Sequence, residues 1–182
     1  LFVIPTTSGT GSETTMVAVI SDDERHIKLP FTSHYLMPNA AILDPRMTQS
    51  LPPQLTASTA MDALTHCIEA YTCLGANPIS DAYATAGIKK IRENIFTALG
   101  QPHDSQARLE LAQASTMAGI AFSNSMVGLV HSLGHALGAV AHLPHGLCMN
   151  LFLPYVLEYN KDMNGDKIAE LLLPLAGADI YA

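Results

Sequence analysis

Beyond residue 50 the chain reads as helix almost without a break, so the core of that region has to come from helix packed on helix. Ser50 is placed to cap a helix starting near Pro52-Pro53, because proline is tolerated in a first turn. Within that helix Met61, Leu64, Ile68 and Tyr71 recur at spacings of 3, 4 and 3, which predicts one buried stripe. Asn77-Pro78 opens a second helix with the stripe Ile88, Ile91, Ile95 and Leu99, closed by Gly100-Gln-Pro102. A third helix is predicted from Asp104 to about Ser123. A fourth runs from Val127 to Gly138, where Gly128, Gly134 and Gly138 would let neighbours approach closely. His142-Leu-Pro-His145-Gly146 reads as a loop, Leu147 to Tyr159 as helix, and Asp166 to Leu173 as a weaker one.

The first fifty residues differ. Leu1–Ile4 is an apolar β-like run and Pro5-Thr-Thr-Ser-Gly-Thr-Gly-Ser12 a loop of hydroxyls and glycines. Val17–Ile20 and Ile27–Phe31 are strands around a turn at 21–24, and Ala40–Leu43 is one more short strand before Asp44-Pro45. The expected organisation is therefore a β-containing piece over 1–50 and an all-helical domain over 51–182, mostly α overall. The chain opens inside a strand and closes soon after a helix without a polar tail, which reads as truncation at both ends.

Chemistry concentrates in the histidines. Four of the eight (His131, His135, His142, His145) fall within fifteen residues. Asp62 and His66 are four apart on a helix, just over one turn, so both leave the same face and can bind one ion. His131 and His135 repeat that spacing, and His142 and His145 bracket a proline. One Asp-x-x-x-His is ordinarily a solvated pair or a cap. Three local pairs of different kinds in one helical region offer six candidates for a site that needs about four ligands. An oxygen and nitrogen donor set without cysteine suits Fe(II), Zn(II), Mn(II) or Ni(II), and spacing does not choose among them. One carboxylate and three neutral imidazoles on a divalent ion leave a surplus near +1, suited to stabilising an alkoxide.

The loop Thr6-Thr7-Ser8-Gly9-Thr10-Gly11-Ser12-Glu13 follows an apolar strand, where glycines would let a backbone approach a phosphate and hydroxyls add donors. A tight loop with local hydroxyl–backbone bonds explains the same residues. Lys28 can offer a cation to a nucleotide, although a lone hairpin lysine is normally solvated. The net charge of -7 leaves no basic stripe for nucleic acid, and no apolar run approaches the roughly 20 residues that span a membrane. No signal peptide is visible. The three cysteines, Cys67, Cys73 and Cys148, are odd in number without metal-binding spacing, which favours a reducing, cytoplasmic setting.

Together the segments Ile4-Pro-Thr-Thr-Ser-Gly-Thr-Gly-Ser-Glu13, Met61-Asp-Ala-Leu-Thr-His-Cys-Ile-Glu-Ala-Tyr71, Asn77-Pro-Ile-Ser-Asp-Ala82, Gly128-Leu-Val-His-Ser-Leu-Gly-His135 and Leu143-Pro-His-Gly146 resemble the iron-containing (group III) alcohol dehydrogenase family, in the family's order. The resemblance implies a Rossmann-like nucleotide domain, of which 1–50 would be the end, followed by a helical metal-binding domain. It implies Asp62, His66, His131 and His145 as ligands of Fe(II), with Zn(II) or another divalent metal as a substitute. His135 would sit beside the nicotinamide as the catalytic histidine, and His142 is not required. Thr6, Thr7 and Lys28 match cofactor-contacting positions, and Thr15, Val17 and Ser50 match cofactor-lining ones. The implied activity is hydride transfer between a small alcohol or aldehyde and NAD or NADP, in a homodimer. The family's glycine-rich pyrophosphate loop does not occur in these residues. A non-catalytic metal-binding fragment, a zinc-dependent sister such as a glycerol dehydrogenase, and a metal-dependent hydrolase are the alternatives.

Overall fold

The computed structural model describes residues 1–22 and 24–178. Its N-terminal part carries two small sheets. Strands β1 (Phe2–Val3) and β4 (Ala40–Ala41) pair in parallel, and β2 (Val17–Asp22) with β3 (Ile27–Thr32) forms an antiparallel hairpin in which Val17 faces Thr32. Among the described residues six α-helices follow: α1 (Pro53–Thr72), α2 (Pro78–Gly100), α3 (Ser105–Ser125), α4 (Leu129–Ala141), α5 (His145–Glu170) and α6 (Leu172–Ala176). The expected class, a small sheet-bearing N-terminal part ahead of a mostly helical region, is the observed one. Among the described residues no helix is long and apolar enough to cross a membrane.

Helix α1 is the hub, packed against α2, α3 and α5. The sequence stripe understates it. Ile68 is buried, whereas Met61, Leu64 and Tyr71 are only half-buried, and every residue from Thr65 to Ala70 is buried. Neighbours on three sides enclose the helix, and small side chains (Ala60, Ala63, Cys67, Ala70) let them approach. The core continues through Ala84, Ile88, Ile91 and Ala98 of α2 and Ala107, Leu111, Ala114 and Ala118 of α3. Alanine costs little side-chain entropy in a helix and brings axes close, which is how a chain so poor in aromatic residues fills its interior.

The helix ends show which sequence signals act. Asn77 caps α2 by accepting from the backbone N–H of Ile79 and Ser80, and Ser80 Oγ accepts from Asn77 N–H, a reciprocal capping box. Asn77→Ala is expected to cost about 1 kcal/mol, read as a lower urea midpoint at unchanged slope. Asp104 caps α3 through Ala107 N–H. Ser50 does not cap α1. It is exposed in the preceding turn, and Pro52 occupies the N-cap with no side-chain bond. Helix α4 begins at Leu129 and runs to Ala141, beyond Gly138. The predicted loop at 142–146 is shorter than expected, since His145 and Gly146 already belong to α5. The break expected between Tyr159 and Asp166 is only a kink, with non-helical backbone at Asn164 (φ -138°). Pro154 is accommodated inside this helix.

The hydroxyl- and glycine-rich loop is pinned to the helices. Gly11 N–H donates to Ser115 Oγ, Thr116 Oγ1 donates to buried Glu13, and Thr14 Oγ1 donates to Thr116 O. Gly11 has φ 60°, and a Cβ there would lie 2.6 Å from the Gly119 backbone of α3. Close packing against α3 therefore accounts for this glycine.

Candidate metal centre

Three elements converge on one carboxylate oxygen. Asp62 and His66 leave the same face of α1, one turn apart, as their spacing predicts. His131 stands in the first turn of α4, and His145 is the first residue of α5. His145 reaches the site because Gly146 lies directly against Ser58, one turn before Asp62. Any Cβ on Gly146 would collide with the Ser58 carbonyl oxygen.

Asp62 Oδ1 is 3.3 Å from His145 Nε2, 3.8 Å from His131 Nε2 and 3.8 Å from His66 Nδ1. Asp62 Oδ1, His66 Nδ1 and His131 Nε2 are buried without a hydrogen-bond partner, as is the other ring nitrogen of His145, Nδ1. Leaving several buried polar atoms unpaired costs about 1–3 kcal/mol each. A shared cation removes the cost. Ligand atoms about 2.1 Å from one tetrahedral ion lie roughly 3.4 Å from each other, which is the spacing around Oδ1. The residues present fit a divalent metal.

The convergence is tightest for Asp62, His131 and His145, each of which offers a ligand atom within 4.8 Å of the others. His66 meets Asp62 but is not part of that mutual set. Its ring stacks on Phe122 (centroids 4.5 Å apart) and lies 4.3 Å from the His131 ring. Asp62, His66 and His131 are buried, whereas His145 is partly open to solvent. His135, half-buried on the next turn of α4, stands 5.1 Å from the His145 ring and 5.9 Å from the His131 ring. His145 and His135 together form the open side. His142 is exposed, at φ 54°, edge-on to His26 and outside the cluster.

Electrostatics follow this packing. Burial opposes ionisation of Asp62, but the imidazoles of His66, His131 and His145 outweigh it and hold the carboxyl well below its usual range. Burial lowers His66 to about 3, with the neighbouring imidazoles adding to the fall against the attraction of Asp62. Burial would also lower His131, yet Asp62 and Glu69 raise it to about 9. His135 is pushed down to about 4 by burial first, then by His145, His131 and Lys28. Lys28 is not a free hairpin lysine: it is half-buried on β3, its Nζ 3.5 Å from where a Cβ on Gly138 of α4 would stand.

The remaining sequence candidates are dispersed along the N-terminal part. Thr6 is exposed, Thr7 and Val17 are half-buried, and buried Thr15 donates its hydroxyl to Val17 O at 3.5 Å. One residue at the site is absent from the sequence candidates. Glu69 is buried, accepts from Val130 N–H at 2.6 Å and lies 2.5 Å from His131 Nδ1. Its signal is there to be found, since 62, 66 and 69 follow helical spacing on the face of α1 that bears the site. As a second carboxylate beside the candidate ligands, it would offset the surplus of +1 that a divalent ion would leave with Asp62 alone.

Two family models match almost the whole chain: residues 1–45 match "Iron-containing alcohol dehydrogenase", and residues 56–179 match "Fe-containing alcohol dehydrogenase family, C-terminal". The chain belongs to the iron-containing alcohol dehydrogenase family. Among the relatives of this family member, alcohol dehydrogenase 4 of Saccharomyces cerevisiae is 46% identical over 160 residues, covering 88% of this chain and 42% of the relative. The NAD-dependent methanol dehydrogenase of Bacillus methanolicus is 44% identical over 172 residues, covering 93% and 45%. Among solved structures, the alcohol dehydrogenase from Oenococcus oeni superposes with a TM-score of 0.94 at 37% identity, over 100% of this chain and 48% of that one. A 1,3-propanediol oxidoreductase gives 0.91 at 38%, over 96% and 46%. The chain thus spans less than half the length of these relatives. Their names are those of alcohol dehydrogenases and oxidoreductases.

Proposed function

We propose that this chain is the metal-binding helical domain (51–182) and the end of the nucleotide-binding domain (1–50) of an NAD(P)-dependent alcohol dehydrogenase that also reduces aldehydes. The observation that carries this reading is the set of unpaired buried donor atoms around Asp62 Oδ1. Asp62, His66, His131 and His145 would hold one divalent ion, Fe(II) by family and Zn(II) as a substitute. An ion held there supplies Lewis acidity toward an alcohol oxygen, and NAD or NADP supplies the hydride acceptor.

The chain's own residues do the positioning. Burial of Asp62, His66 and His131 keeps water from one side of the site, while the rim formed by His145 and His135 admits a small alcohol. His135 stands where it can take up or relay the alcohol proton. Lys28, on β3 against α4, would face the cofactor across this rim, with Thr6, Thr7, Thr15, Val17 and Ser50 as further cofactor-contacting or lining positions. The three free cysteines favour a reducing, cytoplasmic setting. The exposed stripe Leu147, Leu151, Tyr155, Tyr159 and Met163 on α5 supports further protein cover on that face, consistent with a homodimer.

The proposed activity is tested on anaerobically purified protein loaded with Fe(II) or Zn(II). NAD(P)H absorbance should change with a panel of short alcohols, diols and aldehydes. No change with either cofactor under either metal would contradict it. His135→Ala is expected to lower turnover at least about 100-fold, the scale of general acid–base catalysis, while the metal stays bound. An unaltered rate would remove His135 from the chemistry.

A further inference from the structure

We infer that Glu69 is a positioning residue for the metal site, fixing both the tautomer of His131 and the end of the helix that carries it. The inference rests on the metal-site reading above and deepens it. Helix α4 has no side-chain cap of its own, since Gly128 stands at its N-cap. Glu69 reaches across from α1 and supplies one, because Oε1 accepts the Val130 N–H, one of the free donors of the first turn. Its other oxygen, Oε2, faces His131 Nδ1. A carboxylate accepts and cannot donate, so Nδ1 keeps its proton toward Glu69, and Nε2 is the nitrogen left to offer a lone pair to a cation. Nε2 is the His131 atom that has no hydrogen-bond partner and points toward Asp62 Oδ1.

Two further features match this role. Glu69 is 4% exposed, so its charge is held in low dielectric and bears directly on His131. Gly128 makes room for it: a Cβ at that position would lie 2.9 Å from Glu69 Oε1. The carboxylate thus faces two N–H donors with two oxygens. Glutamine has only one acceptor oxygen and can satisfy only one of them, and alanine satisfies neither.

The test is Co2+ binding by calorimetry to wild type, Glu69→Gln, Glu69→Ala and Asp62→Asn, with the melting temperature of each metal-free protein measured beside it. Glu69→Gln should bind Co2+ about 10- to 100-fold more weakly, the usual effect of losing a partner of a ligating histidine. Glu69→Ala should bind no better. If Asp62→Asn loses Co2+ while both Glu69 variants bind like wild type, Glu69 is only a cap and the inference is overturned, although the metal reading stands. If wild type binds no Co2+, both fall. Should the variants fail to fold, nitrogen NMR of histidine-labelled, Zn2+-loaded wild type decides the matter. A slowly exchanging proton on His131 Nδ1 supports the inference, and an unprotonated Nδ1 overturns it.

Discussion

Asp62→Asn is expected to strip the protein of bound divalent metal while leaving its helices in place. The substitution keeps the volume of the side chain and removes the charge at the atom toward which three imidazole nitrogens point, at 3.3 to 3.8 Å. Binding free energies of about 10–16 kcal/mol at four-ligand sites imply roughly 3 kcal/mol per ligand, so one lost ligand weakens affinity by about 100-fold or more. His145→Ala should act in the same direction with less effect on the fold, because His145 lies at the open rim. His131→Ala should lose metal and stability together, since it strands the buried Glu69 carboxylate. Elemental analysis after dialysis reads all three. Metal retained at wild-type stoichiometry in Asp62→Asn would remove this carboxylate from the site.

The second large effect belongs to a residue with no functional group. Gly146→Ala should destabilise the protein by about 3 kcal/mol and lower metal affinity with it. A methyl group there meets the Ser58 carbonyl oxygen and also Ser58 Oγ at 2.6 Å. The backbone fixes where that methyl stands, so it cannot turn away from the Ser58 carbonyl. Relief requires α5 to slide off α1, and His145, one residue earlier, moves with it. Urea denaturation measures the stability loss and metal titration the displacement. A wild-type midpoint and affinity would mean that α1 and α5 are not in close contact at this point.

The physical origin of these effects explains what is legible in the sequence. The i, i+4 spacing of Asp62 and His66 is readable because one helical turn fixes their relation, and Asn77-Pro78 because a cap followed by proline is a local signal. His145 reads as loop because Pro144 and Gly146 are both breaker residues. Pro144 in fact serves as the N-cap, and Gly146 answers to Ser58 on another helix, a demand that local pattern cannot express. Gly11 carries the same lesson, since its neighbour is Gly119, over a hundred residues later. The single stripe expected on α1 fails for a related reason. A helix packed against three others keeps only a half-open strip. Met61, Leu64 and Tyr71 lie on that strip while small residues fill the core side, so apolar period does not mark the buried face. Glu69 stays hidden when periodicity is followed only through apolar residues. A carboxylate between Ile68 and Ala70 resembles an exposed position until His131 is brought to it.

The proposed function requires four side chains from three helices, Asp62, His66, His131 and His145, to share one ion. X-ray absorption spectroscopy on the Zn2+-loaded protein tests this most directly, alongside one measurement of stoichiometry. The predicted result is one zinc per chain in a shell of nitrogen and oxygen only, at about 2.0–2.2 Å, with the outer-shell scattering of several imidazoles. A sulfur shell at about 2.3 Å, or zinc surrounded by water without imidazole, would contradict it.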